Sequence, residues 1–235
     1  MIGNNWIALI ITFAASIIWL RINDYFAHKG WISTRLSRKI IHIGTGPIFV
    51  LCWLLFDSAD SARFLAALVP LGITIQFGLV GTGIIKDQAA VDAMSRTGDP
   101  REILKGPLYY GIVFVVLTLI FWNETPTGIV ALMIMCGGDG LADIIGKKYG
   151  RAKLPWSRRK SFAGSFGVFA GGIILTILIF SIYISAAKFQ GPLTRYGPAI
   201  LGIAFVSTMV ESIPVRDIDN ISVPLIAVIL GMLLF

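Results

Sequence analysis

Polar residues divide the chain into eight long apolar runs, at about residues 6–22, 40–56, 64–85, 108–122, 126–136, 162–187, 198–213 and 222–235. Each run is apolar on every side, with no single helical stripe. That is the pattern of a segment surrounded by lipid or deeply enclosed. A helix needs about 20 residues to cross a hydrocarbon core of about 30 Å. The first four runs and the sixth are long enough with their flanks, whereas the fifth and eighth are short. Alternating ten-residue barrel segments do not appear, and isolated strands cannot span lipid. The expected fold is an all-α polytopic transmembrane helix bundle of seven or eight spans, a single integral membrane domain over residues 1–235. The first run lacks a basic leader and a clear small-residue cleavage site, so it is expected to stay as a span.

Composition agrees with this reading. Of 235 residues, 56% are hydrophobic and 14% charged, and the mean hydropathy is +0.80. A soluble domain carries roughly a quarter charged residues. Charge then orients the spans. Of the 20 Lys and Arg residues, 17 fall in the connections after runs one, three, five and seven, and only Arg63, Lys188 and Arg195 fall on the other side. Basic connections stay in the cytoplasm, so both termini are expected outside and the rich connections inside. The net charge of +7 suits an anionic leaflet and equally a polyanionic ligand such as a nucleotide. Cys52 and Cys136 form no CxxC and no zinc spacing and read as small buried hydrophobes. Residues 87–100, the most polar stretch outside 137–164, read as a plain cytoplasmic connection.

Candidate chemistry begins where the fifth run stops. Residues 126–136 make half a span and run into Gly137-Gly138-Asp139-Gly140-Leu141-Ala142-Asp143. Each helical glycine costs roughly 1 kcal/mol, so the helix is expected to break here. A short, glycine-interrupted apolar segment points to a membrane binding site. Asp139 and Asp143 are four apart and share a helical face. Two facing carboxylates suit a hard cation such as Mg²⁺; alternatively, Asp143 pairs with Lys147. Lys147, Lys148, Arg151, Lys153, Arg158, Arg159 and Lys160 follow, then Ser161 and Gly164 at the start of the sixth run. A helix start with free amides, hydroxyls and a lysine makes a phosphate cradle. Residues 137–164 are therefore expected to form a cytoplasmic loop for metal and nucleotide, as in phosphoryl or nucleotidyl transfer. There is no GxxxxGK[ST], so this is not a P-loop.

An acid inside a span is by default functional, and Glu211 lies in the seventh run. It stands 13 residues after Pro198, and Asp139 stands 13 after Pro126. At 1.5 Å per residue both would lie about 20 Å along their helices, at similar depth. Asp217, Asp219 and Asn220 follow at the membrane surface. Arg38-Lys39 precedes the second run, with His42 on the helical face of Arg38, and Lys105-Gly106-Pro107-Leu108-Tyr109-Tyr110 opens the fourth.

Together these stretches resemble the phytol kinase and dolichol kinase family of CTP-dependent polyprenol kinases. The resemblance rests on Arg38-Lys39-x-x-His42, Lys105 to Tyr110, and Gly138-Asp139-Gly140-Leu141-Ala142-Asp143-Ile144-Ile145-Gly146. It continues through Lys160-Ser161-Phe162-Ala163-Gly164-Ser165, Glu211-Ser212-Ile213-Pro214 and Asp219-Asn220. The dolichol kinase pattern D-x-x-A-x-x-x-G followed by K-K-T-x-E-G is met in its first half. In the second half Arg159 replaces the first Lys, Ser161 the Thr, and Ala163 the Glu, which looks like the phytol or farnesol kinase branch. The resemblance implies an enzyme phosphorylating a long-chain isoprenoid alcohol from CTP with release of CDP, and a place in tocopherol biosynthesis. It implies Asp139 and Asp143 as Mg²⁺ ligands, and Lys160 and Ser161 on the nucleotide phosphates. Lys147, Lys148, Gly138, Gly140, Gly164, Arg38, Lys39 and Asn220 are further nucleotide-site candidates. Glu211 and Asp219 would hold a second metal or take the alcohol proton.

The expected partners are the alcohol, CTP and the bilayer, with no nucleic acid. The sequence speaks neither for nor against a homodimer. The membrane would be a bacterial inner, thylakoid or other organellar one, with the site facing the cytoplasm. Two rivals predict different products: a phosphatidate cytidylyltransferase-like enzyme would release pyrophosphate, and a small transporter would consume no nucleotide.

Overall fold

The computed structural model describes residues 3–213 and 218–235. Seven of its helices are long and apolar enough to cross a membrane, and another apolar helix is shorter. This is the all-α polytopic bundle that the apolar runs predict. The chain divides into two compact units between residues 120 and 121. No linker marks this boundary in the sequence, and one domain was expected.

The first unit holds α1 (Asn5–His28), α2 (Thr34–Cys52), α3 (Ala62–Gly81), α4 (Gln88–Met94) and α5 (Gly106–Phe121). Asn4 caps α1 by accepting from the amides of Trp6 and Ile7, at 2.9 and 3.4 Å. Ser33 caps α2 by accepting from Leu36 at 3.2 Å. Such caps satisfy amides that the first helical turn leaves without partners. Residues 87–100 are more than a plain connection. Asp87 accepts from the Ala90 amide at 3.0 Å and starts α4, whose Ala90, Val91, Ala93 and Met94 are buried. Val91, Ala93 and Met94 join Leu20, Ile41, Phe77 and Val80 in one apolar core. An ion pair from Arg21 to Asp87 (2.8 Å) and a polar contact between His28 Nδ1 and Asp92 Oδ2 (3.2 Å) fasten α4 to α1.

The second unit holds α6 (Pro126–Tyr149), a hairpin of β1 (Lys153–Leu154) and β2 (Ser157–Ser161), α7 (Phe162–Ser185), α8 (Leu193–Ser212) and α9 (Asp219–Leu234). Helix α6 is the central one, packed on α7, α8 and α9. Of its apolar window 67% is buried, against 44% or less in the other candidate spans.

The expected break at residues 137–140 is absent: α6 runs unbroken through all three glycines. In lipid an unpaired amide or carbonyl costs several kcal/mol, more than the helix penalty of a glycine. The glycines serve packing instead. A Cβ on Gly137 would collide with the carbonyl of Gly171, and one on Gly171 with the carbonyl of Gly137. A Cβ on Gly167 would stand 2.9 Å from the Leu141 carbonyl, and one on Gly146 3.2 Å from Gly164 Cα. Small residues let two membrane helices approach backbone to backbone. The loop expected over 137–164 is correspondingly shorter: residues 137–149 are helical and 162–164 open α7, leaving only 150–161 as turn and hairpin.

Threonine hydroxyls within the helices bond to the carbonyl four residues back. Thr12, Thr45, Thr74, Thr118, Thr176 and Thr208 do so at 2.6–2.7 Å. This satisfies a polar group where water is scarce. Helix α9 has 16 residues, about 24 Å of length, short of a full crossing as its apolar run suggested.

Candidate active site

The candidate polar residues of the second unit lie along the C-terminal half of α6, in the hairpin, at the end of α8 and at the start of α9. Asp139 and Asp143 lie one turn apart on α6, both half-buried. Lys147 and Lys148 occupy its last turn and are exposed, where cations complement the negative helix end. The chain then turns at Gly150 into the hairpin, with Lys153 paired to Ser161 and Leu154 to Ser157. Along β2, Ser157 and Ser161 are buried, Arg158 and Arg159 exposed, and Lys160 half-buried.

Lys160 is the junction of the site. Its Nζ donates to Glu211 Oε1 at 2.7 Å and Asp219 Oδ2 at 3.2 Å. It also donates to the Glu211 backbone carbonyl. An ammonium has three donors, so this set uses all of them. The three side chains are 19%, 12% and 31% exposed, sheltered enough for the pairing to matter. One lysine thus ties the end of α8 to the start of α9. The Lys160 amide donates to Ser157 Oγ at 3.2 Å, fixing the local strand. Trp156 adds a second tie: its indole N–H donates to the Ser212 carbonyl and hydroxyl, each at 3.2 Å. Trp156 was missed in the sequence, where an aromatic in a basic stretch carries no signal of its own.

Asp139 acts electrostatically on Glu211, as does Asp219. Asp139 of α6 thus lies within electrostatic range of Glu211 at the end of α8. Helix α8 starts at Leu193, with Pro198 inside it, so the equal spacing from two prolines does not set their depth. Helix α8 packs chiefly on α7 and α9. Asp217 and Pro214, named from the sequence, lie outside the described residues.

Some groups expected on the phosphates make hydrogen bonds within the protein. The Ser161 hydroxyl is buried and caps α7, accepting from the Gly164 amide at 3.1 Å. The Phe162 amide donates to the Ala152 carbonyl at 3.1 Å. The start of α7 is therefore not an open cradle. Gly138 and Gly140 are buried in α6, and Gly138 faces Val168 of α7. Gly164 faces Ala142 and Gly146. These residues are packed, and the exposed charges of the same segment are Lys147, Lys148, Arg151, Lys153, Arg158 and Arg159. Asn220, half-buried, follows Asp219 in the first turn of α9.

Known proteins align with nearly the whole of this chain. The "Probable phytol kinase 1, chloroplastic" of Oryza sativa subsp. japonica is 42% identical over 233 residues, covering 97% of this chain and 73% of the relative. The "Probable phytol kinase, chloroplastic" of Zea mays is 38% identical over 232 residues, 97% of this chain and 76% of its own. The "Phytol kinase 1, chloroplastic" of Arabidopsis thaliana is 38% identical over 206 residues, 87% and 68%. The chain belongs to the phytol kinase family. No family model and no solved structure matches it.

The aligned length spans both units of this phytol kinase family member, so the site residues of the second unit fall inside the shared region. Arg38 and Lys39 lie in the first unit, on α2. Lys39 is buried at 6% exposure and Arg38 half-buried; neither is a simple solvated anchor. The His42 and Tyr110 rings pack tilted with centroids 4.3 Å apart, and the Tyr110 hydroxyl donates to the His42 carbonyl at 2.8 Å. That joins the two motifs expected before spans two and four. As for a metal, no three His, Cys, Asp or Glu side chains among the described residues converge as a cage. Mg²⁺ rarely needs one: it keeps water and takes one or two carboxylates plus substrate phosphates. The all-oxygen pair Asp139 and Asp143 fits that pattern and does not fit a tetrahedral zinc site.

Proposed function

We propose that the protein transfers the terminal phosphate of CTP to the hydroxyl of phytol, or of a related isoprenoid alcohol such as farnesol or geranylgeraniol, releasing CDP and the lipid monophosphate. The observation that carries this reading is identity of 37–42% with phytol kinases over nearly the entire chain. CTP as the donor rests on the resemblance of the motifs to CTP-dependent polyprenol kinases.

On this reading the site residues share the labour. Asp139 and Asp143 would hold Mg²⁺, which would neutralise charge on the nucleotide phosphates. Lys147, Lys148, Arg158 and Arg159 attract those phosphates through their exposed charge. In the transfer the bond between the β–γ bridging oxygen and the γ-phosphorus breaks, and a bond from the alcohol oxygen to that phosphorus forms. The hydroxyl proton goes to a carboxylate, for which Glu211 and Asp219 are the candidates. Lys160 keeps those two acids at fixed positions, so it is a positioning residue here. The basic connections support a site on the cytoplasmic face, where a lipid alcohol could keep its chain in the bilayer and present its hydroxyl to a soluble nucleotide.

The test uses purified protein with γ-labelled CTP, Mg²⁺ and phytol. Label should move to the lipid with CDP as coproduct, and Asp139→Ala should lower the rate by at least about 100-fold, the scale of losing a charge-stabilising group in a transition state. A wild-type rate in that variant refutes the metal assignment. Release of pyrophosphate would mark cytidylyl transfer instead.

A further inference from the structure

The first unit contains a cavity of about 80 Å³ between α1, α3 and α4. Ile17, Leu20 and Phe77 give it apolar walls, and Arg21, Asp24 and Gln76 its polar lining. Asp24 is 3% exposed. Arg21 donates to its Oδ2 at 3.3 Å and to Asp87 Oδ2 at 2.8 Å. Its other oxygen, Oδ1, is buried and meets no hydrogen-bond donor. Buried polar atoms are nearly always satisfied, and an ionised carboxylate oxygen is the strongest acceptor a protein offers. A cavity beside such an atom is a place for a donor that the chain itself does not supply.

We propose that this cavity is a holding site for the hydroxyl end of a membrane-dissolved long-chain alcohol, with Asp24 Oδ1 accepting its hydrogen bond. A hydroxyl both donates and accepts, which matches the Asp24 carboxylate and the Gln76 amide lining one space. The neighbouring Arg21 guanidinium disfavours a cationic head group there. The volume admits only the hydroxyl and its first carbons. The chain would leave past Ile17, which is 42% exposed on a helix long and apolar enough to lie in lipid. The basic connection carrying α4 belongs to the cytoplasmic side by charge, so the hydroxyl end would rest near that surface. The choice of phytol as the ligand rests on the kinase reading; the hydroxyl chemistry does not.

The test uses the full chain in nanodiscs with a phytol analogue carrying a diazirine near its hydroxyl. Cross-links should map to α1 and α3 around the cavity. Phytol should compete about tenfold better than phytyl methyl ether, which cannot donate, the scale of one hydrogen bond to a charged group. Asp24→Leu, similar in shape but without oxygens, should abolish the difference. Ala90→Phe, which fills the cavity from α4 and leaves the carboxylate intact, should remove the cross-links; it decides the matter if Asp24→Leu does not fold. Equal competition by the ether, or cross-links that persist in Ala90→Phe, overturns the site. Phosphate transfer measured in parallel separates the two ideas. Transfer with cross-links indifferent to both substitutions overturns the holding site alone, and Asp24-dependent cross-linking without transfer from any nucleotide overturns the kinase reading alone.

Discussion

Replacing Lys160 by Met separates a positioning lysine from one that waits for phosphate. In the structure the ammonium holds Glu211 and Asp219 at 2.7 and 3.2 Å and bonds the Glu211 carbonyl as well. Met keeps much of the stem and removes the charge, leaving two carboxylates close together with their shared cation gone. Breaking a buried pair by removing one partner costs about 3–5 kcal/mol. These groups are 12–31% exposed, so water softens the loss and about 2–3 kcal/mol is expected. For a chain of this size that lowers the melting temperature by roughly 5–10 °C, measured without nucleotide in one detergent. Adding Glu211→Leu to Lys160→Met should restore about 1–2 kcal/mol by removing one stranded charge, while transfer activity stays lost. If Lys160 serves only to contact phosphate, nucleotide-free Lys160→Met will melt with the wild type, and the positioning role is refuted.

Two further substitutions probe the scaffold. Gly171→Ala places a methyl group against the Gly137 carbonyl and should cost about 1–3 kcal/mol as overpacking, whereas Gly202→Ala on α8, with nothing within 4 Å, should be neutral or stabilising by about 0.5–1 kcal/mol; equal melting shifts in the two would refute the seam. Burial alone would raise the Asp87 carboxyl, but the hydrogen bond from Arg21 and the Ala90 amide outweigh it and hold it below the ordinary range. A depressed folded value stabilises above the unfolded value of about 3.9 and is lost as pH falls through the folded one. Hydrogen exchange in α4 should therefore accelerate in that acid window, and Asp87→Asn, which can still cap the helix, should loosen α4 by about 1 kcal/mol at neutral pH. Unchanged α4 protection in both experiments would refute the tie to α1.

The large features of the fold were legible because lipid imposes a simple rule. Long apolar runs must be helices. The runs at 6–22 and 162–187 became α1 and α7 with ends moved by a few residues, since polar residues such as Arg21 and Asp24 extend a helix past its apolar stretch. Asp139, Asp143, Glu211 and Lys160 stood out because charge beside or within an apolar run is costly and therefore informative. Less legible was α4, where seven residues are too few for a periodic signal and only burial against Phe77 and Val80 gives Val91 and Met94 their meaning.

What the sequence determined by itself was the class of the protein, the spans, and the residue types at the site, because these follow from transfer of side chains between water and lipid. Tertiary structure decided the rest. Three glycines that read as a helix break became a seam, because the facing helix α7 brings its own glycines to the same level. Lys160 and Ser161 read alike as phosphate ligands, yet one holds Glu211 and Asp219 and the other caps α7. Those assignments depend on atoms some fifty residues away or on the exact turn of a hairpin. No local pattern records where α8 ends against β2, and that meeting point decides which hydrogen bonds the site has left to give.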